Sequence, residues 1–595
     1  MFPLLSNLAF SQLGNLSSLN GEWSIQVRSG QLGELPADGW ESTKIRIPSP
    51  FNTNTFTNGH GPDFVSFPSY PEHWGYARAA WMQREFSVPI QWAFGRTILH
   101  FEAVNLHSVV YIDGTFVGEN WDGYLPFEFD IADLIVPGAT HTLTVGAESP
   151  DLFREDGWRI PAPHGSFWGL HHAGIWQDVY LQLRPTVRFE DVFVSTSVSE
   201  EKLGAVMTFR NDRPAPVEAQ IWCAARPLGE APPGPVWFVG VFAVGSDEIR
   251  TVTSPRISMT EARLWSPEDP FLYEFEAGLF VSGERVHEAT RRFGFREFEI
   301  DGSRFLLNST PIKLRGDGWH WMGTPYQNEE YARLWFETAR SLNLNTIRLH
   351  AQVYPQFYLD IADELGMMII DESAWWASGL DLLYSEEGWA RLADQVARMV
   401  IRDRSHPSVI LWSLANEVVA AARPGDLLGG MAGYQEGMAA VKSMAKSLDG
   451  TRPIYAEGDG DGFGLFGVTS FHYPGPQEGA RLDAWRQHSK PVSAGEAGIM
   501  FYATPPLVAW VLGPEVYENY HSHLSATALD LRRLLQNYRL WMDHVCPFNL
   551  PWYALEPLQF SGDPIGWPDL SLPGVKPERI GPYTSAFNPG YDPAL

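Results

Sequence analysis

The chain has 595 residues, 44% of them hydrophobic and 19% charged, with 24 Trp and a formal net charge of −28. Such acidity argues against nucleic acid and against an anionic membrane surface, both of which need basic patches. No run of eighteen or more apolar residues predicts a membrane helix, and two distant cysteines, Cys223 and Cys546, predict neither a disulfide framework nor a cysteine zinc site.

Length alone predicts about three to five domains. The start, Met1 to Phe10, is mildly apolar but has no basic segment and no clear cleavage site, so it is not read as a signal peptide. Localisation stays open between cytoplasmic and periplasmic or secreted. Residues 1–185 read as a β-sandwich of jelly-roll type. Short runs such as 95–101, 108–112, 141–146 and 175–183 alternate with turn signals, and Asp113-Gly114 marks a hairpin. Residues 186–297 predict a second, immunoglobulin-like sandwich from alternating segments such as 192–198 and 205–209, with a Pro- and Gly-rich surface loop near 227–235.

From 298 to 595 the pattern changes to strand-then-helix units. Eight strand candidates are predicted, at 313–315, 346–349, 367–370, 409–412, 454–456, 467–470, 491–493 and 548–550, which is the count of a (β/α)8 barrel. The tail from Pro568 to Leu595 reads as an ordered arm or a linker to a further segment.

The most informative stretch is Ser405 to Glu417, an apolar run from Val409 to Leu414 that ends in Asn416-Glu417. A buried parallel strand reads as such a run, and barrels carry their chemistry at the C-terminal strand ends. The other candidates end similarly: Asp317 and Trp319, Arg348 and His350, Asp371 and Glu372, Glu457 and Asp459, His472 and Tyr473, Glu496, and Trp552. Asp371 and Asp459 read equally well as polar residues where loops begin. Glu417 and Glu496 fall on the fourth and seventh strands, across the barrel mouth from each other.

Two carboxyl groups in different protonation states are what cleavage of a glycosidic bond requires. Arg348 could keep Glu496 ionised, and Tyr473 could donate a hydrogen bond to it. Asn416 could bond a sugar 2-hydroxyl, and Trp552 could floor the pocket. The rim therefore gives Glu417 and Glu496 as candidate catalytic residues. Asn416, Arg348, His350, Tyr473, His472, Trp552, Asp317, Trp319 and Glu372 are the candidate substrate-binding residues.

The run from Arg402-Asp403-Arg404-Ser405-His406-Pro407 to Asn416-Glu417 resembles the acid/base signature of glycoside hydrolase family 2. Asn345 to His350 and Tyr358 to Glu372 resemble the second- and third-strand block of that family. Leu19-Asn20-Gly21-Glu22-Trp23, Asp122 to Phe127 and Gly174 to Val179 resemble its N-terminal sandwich. The resemblance implies a retaining, exo-acting β-glycosidase with Glu417 as acid/base and Glu496 as nucleophile, β-galactosidase-like; the metal-site pattern of the large β-galactosidases is not evident in the sequence, and no cofactor or metal is expected. β-Mannosidase, β-glucosaminidase and β-glucuronidase specificities remain alternatives. The segment Ala494-Gly495-Glu496-Ala497-Gly498 departs from the usual dipeptide after the nucleophile, and the absence of an Asn-x-Lys motif after it weighs against a glucuronidase.

Three other readings compete. His521 and His523 form a His-x-His pair that metal-dependent hydrolysis would use, but no carboxylate partner has clear spacing. A non-catalytic carbohydrate-binding protein could keep the fold. A transglycosidase would share every residue named. The implied partner is a carbohydrate substrate, with a homo-oligomer possible.

Overall fold

The structure is a computed structural model. It describes residues 15–55, 63–65, 70–153, 161–165, 171–230, 234–319, 329–341, 343–376, 385–421, 430–472, 488–496 and 544–545. The first sandwich pairs a six-stranded antiparallel sheet, built around Gly21–Arg28, Ala79–Ser87 and Thr140–Glu148, with a four-stranded one built around Arg96–Phe101 and Val179–Arg184. Alternating residues of both sheets, Trp23, Met82, Leu99, Phe101, Val110 and Leu143 among them, fill the space between them. The predicted hairpin is present: Asp113 and Gly114 have φ of 49° and 79°, the left-handed geometry that a two-residue turn demands. The run 175–183 is not one strand. It breaks at Trp176, whose indole is buried and donates to the Gly123 carbonyl at 2.8 Å.

The second sandwich places Val187–Ser197, Lys202–Asn211 and Glu248–Thr253 in one sheet and Val236–Val244, Val217–Pro227, Tyr273–Val281 and Glu284–Phe293 in the other. Its core holds Phe209, Ile221, Cys223, Phe275 and Leu279. A small antiparallel sheet, Phe298–Asp301, Arg304–Leu307 and Thr310–Ile312, leads onward, and its Phe298, Phe305 and Leu307 join the barrel core.

The barrel strands are β1 (Leu314–Trp319), β2 (Thr346–Leu349), β3 (Met368–Glu372), β4 (Val409–Asn416), β5 (Ile454–Glu457), β6 (Thr469–His472), β7 (Val492–Glu496) and β8 (His544–Val545). Every pair runs parallel, in the order β5-β4-β3-β2-β1-β8-β7-β6. All eight residues of β4 are buried, as a strand covered on both faces requires. The predicted run 548–550 lies outside the described residues, and the eighth strand as described is His544–Val545. Its register is set by pairing to Leu314-Arg315 on one side and Ser493-Ala494 on the other, a constraint that local hydrophobicity does not carry.

Among the described helices, α1 is Glu329–Ser341, α2 Gln356–Leu365, α3 Glu386–Asp403, α4 Val418–Ala421 and α5 Gly430–Leu448. The α3 helix starts at Ser385, whose hydroxyl accepts from the Gly388 N–H at 2.9 Å, with Glu386 and Glu387 in the first turn. The α2 helix ends at Gly366 with φ 70°, where a Cβ would sit 2.7 Å from the Pro267 carbonyl oxygen.

The first sandwich docks on the barrel through polar contacts. Gln395 on α3 donates to Asp122 at 2.7 Å while accepting from the Ala374 N–H at 2.8 Å. Gly165 N–H donates to the Ala374 carbonyl at 2.8 Å, and Arg391 lies 3.9 Å over the Trp121 ring. Ala374, just past the end of β3, is thus held from the sandwich side.

Candidate active site

The Arg402–Pro407 motif lies at the base of β4, far along the strand from Asn416. Arg402 pairs with Asp403 at 2.7 Å and donates to the Tyr354 carbonyl at 2.9 Å. His406 bonds Asp363 on α2 at 2.7 Å, and the Ser408 N–H donates to the same carboxylate at 3.0 Å. Together these bonds fix where β4 begins, and therefore which residues emerge at its other end. There the strand is irregular between Ser413 and Asn416. Glu417 takes a left-handed φ of 56°, uncommon outside glycine, and its N–H donates to the Glu457 carbonyl at 2.9 Å. Asp459 secures the next turn, accepting from the Val419 N–H at 2.8 Å and from the Tyr434 hydroxyl at 3.1 Å.

Arg348, at the end of β2, is wholly buried and organises the rim. Its guanidinium meets Glu372 at 3.0 and 3.1 Å, Glu496 at 3.1 Å and the Gly495 carbonyl at 3.3 Å, and it also donates to Asn416 Oδ1. Glu372 Oε1 also accepts from the Ala351 N–H at 2.6 Å, and Oε2 from the Ser413 hydroxyl at 2.7 Å. Four donors occupy the four lone-pair sites of this carboxylate. Glu372 therefore anchors Arg348 and has no oxygen free for a sugar, which corrects its reading as a substrate contact. Asn416 gives its oxygen to Arg348, and its buried Nδ2 takes no partner among the described residues.

Glu496 receives His350 Nε2 at 3.2 Å and His472 Nδ1 at 3.5 Å besides Arg348. Burial pushes its carboxyl up, but the charge of His472, the His350 hydrogen bond and the charge of Arg348 overcome this and hold it well below the ordinary carboxylate value. Glu417 bonds His472 Nδ1 through Oε1 at 2.7 Å. Donor atoms of Glu417, His472 and Glu496 all lie within 4.8 Å of one another, so the two candidate carboxylates face each other across one imidazole.

A buried carboxylate, Glu457 at the end of β5, backs this arrangement. It lies 3.4 Å from His472 Nε2 and 3.9 Å from Arg348, and accepts from the hydroxyls of Tyr455 and Ser470. Burial pulls the His472 imidazolium down, but Glu496, Glu417 and Glu457 push it up to about 10. Ser470 also accepts from the Gly458 N–H at 3.2 Å and so stitches β5 to β6. Glu457 reaches in only because residue 495 is glycine: a Cβ there would sit 1.8 Å from Glu457 Oε2. Gly495→Ala should therefore displace Glu457 and with it His472, lowering kcat on an aryl β-glycoside by about 10²-fold, the scale that a misplacement of about 1 Å produces. Unchanged kcat in steady-state assays would refute this coupling.

The structure thus brings together Arg348, His350, Glu372, Asn416, Glu417, His472 and Glu496, while Asp317 is buried at the end of β1. Trp319 pairs with Leu349 through its main chain, and its side chain lies outside the description. Tyr473, Trp552, His521 and His523 fall outside the described residues. Asp371 is not part of the rim. It faces α3, where burial and neighbouring Asp403 push its carboxyl well above the ordinary value. Tyr455 and Ser470 carry no sequence signal of their own, because inside a barrel strand they read as core. A second convergent group, Asp360, Asp363 and His406, is threaded by Arg292, which pairs with Asp360 and sits 3.6 Å from Asp363. It is a structural ion-pair network.

Two sandwiches ahead of a parallel barrel, with facing carboxylates at the ends of β4 and β7, define the glycoside-hydrolase class of barrel proteins. Residues 16–185 match the family model for the sugar binding domain of glycosyl hydrolases family 2, residues 187–296 match its central model, and residues 298–475 match its TIM barrel domain. The chain belongs to glycoside hydrolase family 2. It is 28% identical over 481 residues to a β-galactosidase of Pectobacterium atrosepticum, covering 75% of this chain and 42% of that one. It is 23% identical over 452 residues to a β-glucuronidase of Streptococcus agalactiae, covering 70% and 68%. The chain thus spans less than half of that β-galactosidase's length. Among solved structures, a β-galacturonidase from Eisenbergiella tayi bound to galacturonate superposes with a TM-score of 0.68 at 20% identity, covering 98% of this chain and 97% of that one. A β-glucuronidase from Bacteroides uniformis gives 0.64 at 21%, covering 81% and 59%. At such identities the likeness is one of fold.

Proposed function

We propose that the chain is a retaining, exo-acting β-glycosidase of β-galactosidase-like specificity. The observation that carries this reading is the approach of Glu417 and Glu496 within 4.8 Å. A retaining pair stands about 5–5.5 Å apart, and an inverting pair needs about 6.5–9.5 Å to admit water. Glu496, kept ionised by Arg348 and the two imidazoles, attacks the anomeric carbon. Glu417 passes a proton to the departing oxygen, then takes one from the water that releases the sugar. The imidazolium of His472 keeps a proton 2.7 Å from Glu417 Oε1. Attack consumes the charge of Glu496 that holds this proton, so His472 releases it toward Glu417 as the leaving group needs it. The Nδ2 of Asn416, without a partner among the described residues, suits the 2-hydroxyl oxygen of the sugar.

A panel of aryl β-glycosides tests the glycone: galactoside, glucoside, mannoside, glucuronide, galacturonide, glucosaminide and arabinoside. The galactoside is expected to turn over fastest, with the β-anomer of the sugar formed first by proton NMR. Preference for a uronide would overturn the specificity, and first appearance of the α-anomer would overturn retention.

A further inference from the structure

A cavity of about 470 Å3 opens between the second sandwich and the base of the barrel, at the end remote from Glu417 and Glu496. It is lined by Ser195 and Thr196 of the sandwich, by Arg296 on the connecting segment, and by Lys442 and Lys446, one turn apart on α5. Arg256, Arg404 and Arg452 complete a cationic wall in a chain whose net charge is −28. The last three arginines are neutralised by Glu200, Asp191 and Asp449. Among the described residues the first three cations have no ion pair. Arg296 is 6% exposed and, among the described residues, donates only to the carbonyls of Pro407, at 2.9 Å, and Val409, leaving Nη1 without a hydrogen bond there. Lys442 donates to the Leu465 carbonyl at 2.5 Å and, among the described residues, meets no carboxylate, and Lys446 has no ion pair there. Of the two acids in the lining, Glu297 is taken up by Ser197, the Val198 N–H and Ser199, and Glu299 is exposed.

A buried guanidinium without an ion-pair partner is costly, because carboxylates that make no direct contact offset its desolvation only in part. Burial pulls Arg296 well below its ordinary value and adjacent Arg452 adds to this, opposed only in part by Asp449 and Asp363. Burial likewise lowers Lys442, with Lys446 and Lys490 repelling it. A dianion seated among Arg296, Lys442 and Lys446 would remove each of these penalties at once. Arginine and lysine donors with nearby hydroxyls are the donor set that tetrahedral oxyanions take.

We propose that this cleft binds a small oxyanion of the phosphate type, held by Arg296 Nη1 and the ammonium groups of Lys442 and Lys446. Its size leaves room for a sugar ring attached to that group. The site is separate from the carboxylate rim and stands whatever glycone the rim accepts.

Calorimetric titration of the whole chain with inorganic phosphate and with glucose 6-phosphate, at constant ionic strength maintained by chloride, tests this. Saturable binding is expected, weakened about tenfold for each charge-assisted bond lost in Lys442→Gln/Lys446→Gln, with aryl-glycoside turnover unchanged. The exposed Lys446→Glu serves as a second variant that keeps the buried contacts, and should weaken binding in the same direction. Tighter binding of glucose 6-phosphate than of phosphate would support a phosphorylated sugar as the source, and the reverse order the free anion. Absence of saturable heat from both probes, or equal affinity in wild type and both variants, would overturn the site.

Discussion

Glu496→Gly is expected to abolish hydrolysis of a 2,4-dinitrophenyl β-glycoside, by a factor on the order of 10⁴ or more, since it removes the group to which the sugar becomes bonded. Azide should then restore turnover by occupying the vacated space and attacking from the nucleophile's side, giving the α-glycosyl azide. Glu417→Gly is expected to behave differently. With so good a leaving group the first step needs no acid, so the glycosyl-enzyme still forms and azide captures it from the other face, giving the β-glycosyl azide. With a poor leaving group the same variant should lose about 10²–10⁴-fold, the usual worth of general acid catalysis. The stereochemistry of the two azides, read by NMR, distinguishes the roles without reference to rate. An α-azide from Glu417→Gly, or a β-azide from Glu496→Gly, would exchange the assignments.

The fold was legible because its signals are long and local. The continuous apolar run of β4, the Asp113-Gly114 hairpin and the alternation through the sandwiches are each set by a handful of adjacent residues. The placement of Arg348 beside Glu496 was legible as well, since strand order places β2 and β7 around a common mouth. What the sequence left hidden depends on partners distant in the chain. Glu372 reads like any rim carboxylate until Ser413 and the Ala351 N–H are seen to occupy its oxygens. Asp371 and Glu372 are adjacent and chemically alike, yet strand alternation sends one outward to Asp403 and the other inward to Arg348. Glu457 stood among the strand-end residues without a role, because its significance comes from the missing Cβ of Gly495 and from the hydroxyls of Tyr455 and Ser470. The eighth strand as described, His544–Val545, is defined by its neighbours rather than by its own composition, so local hydrophobicity does not locate it.

Arg348→Met should have the largest effect on stability. The guanidinium is fully buried, and its removal leaves Glu372 and Glu496 without their cation while filling much of the same volume. Truncating one partner of a buried charge group costs about 3–5 kcal/mol, most of it the penalty of the charge left behind. The pH dependence separates this from a simple packing defect. In the wild type, a Glu496 carboxyl held well below its unfolded value contributes stability that is present above that unfolded value and is lost as pH falls through the folded one. His472, raised to about 10, acts in the opposite sense: its contribution is complete below about 6.5 and is lost as pH rises through about 10. Without Arg348 the Glu496 carboxyl rises, so protonation relieves the unpaired charge at a higher pH. The deficit of the variant in urea unfolding should therefore be greatest near pH 7 and shrink toward pH 5. The acid limb of kcat/KM, which reports the ionisation of the nucleophile in the free enzyme, should move to higher pH while His350 and His472 keep some activity. A deficit independent of pH, with the acid limb unmoved, would mean that Arg348 supports the barrel without governing the charge of Glu496.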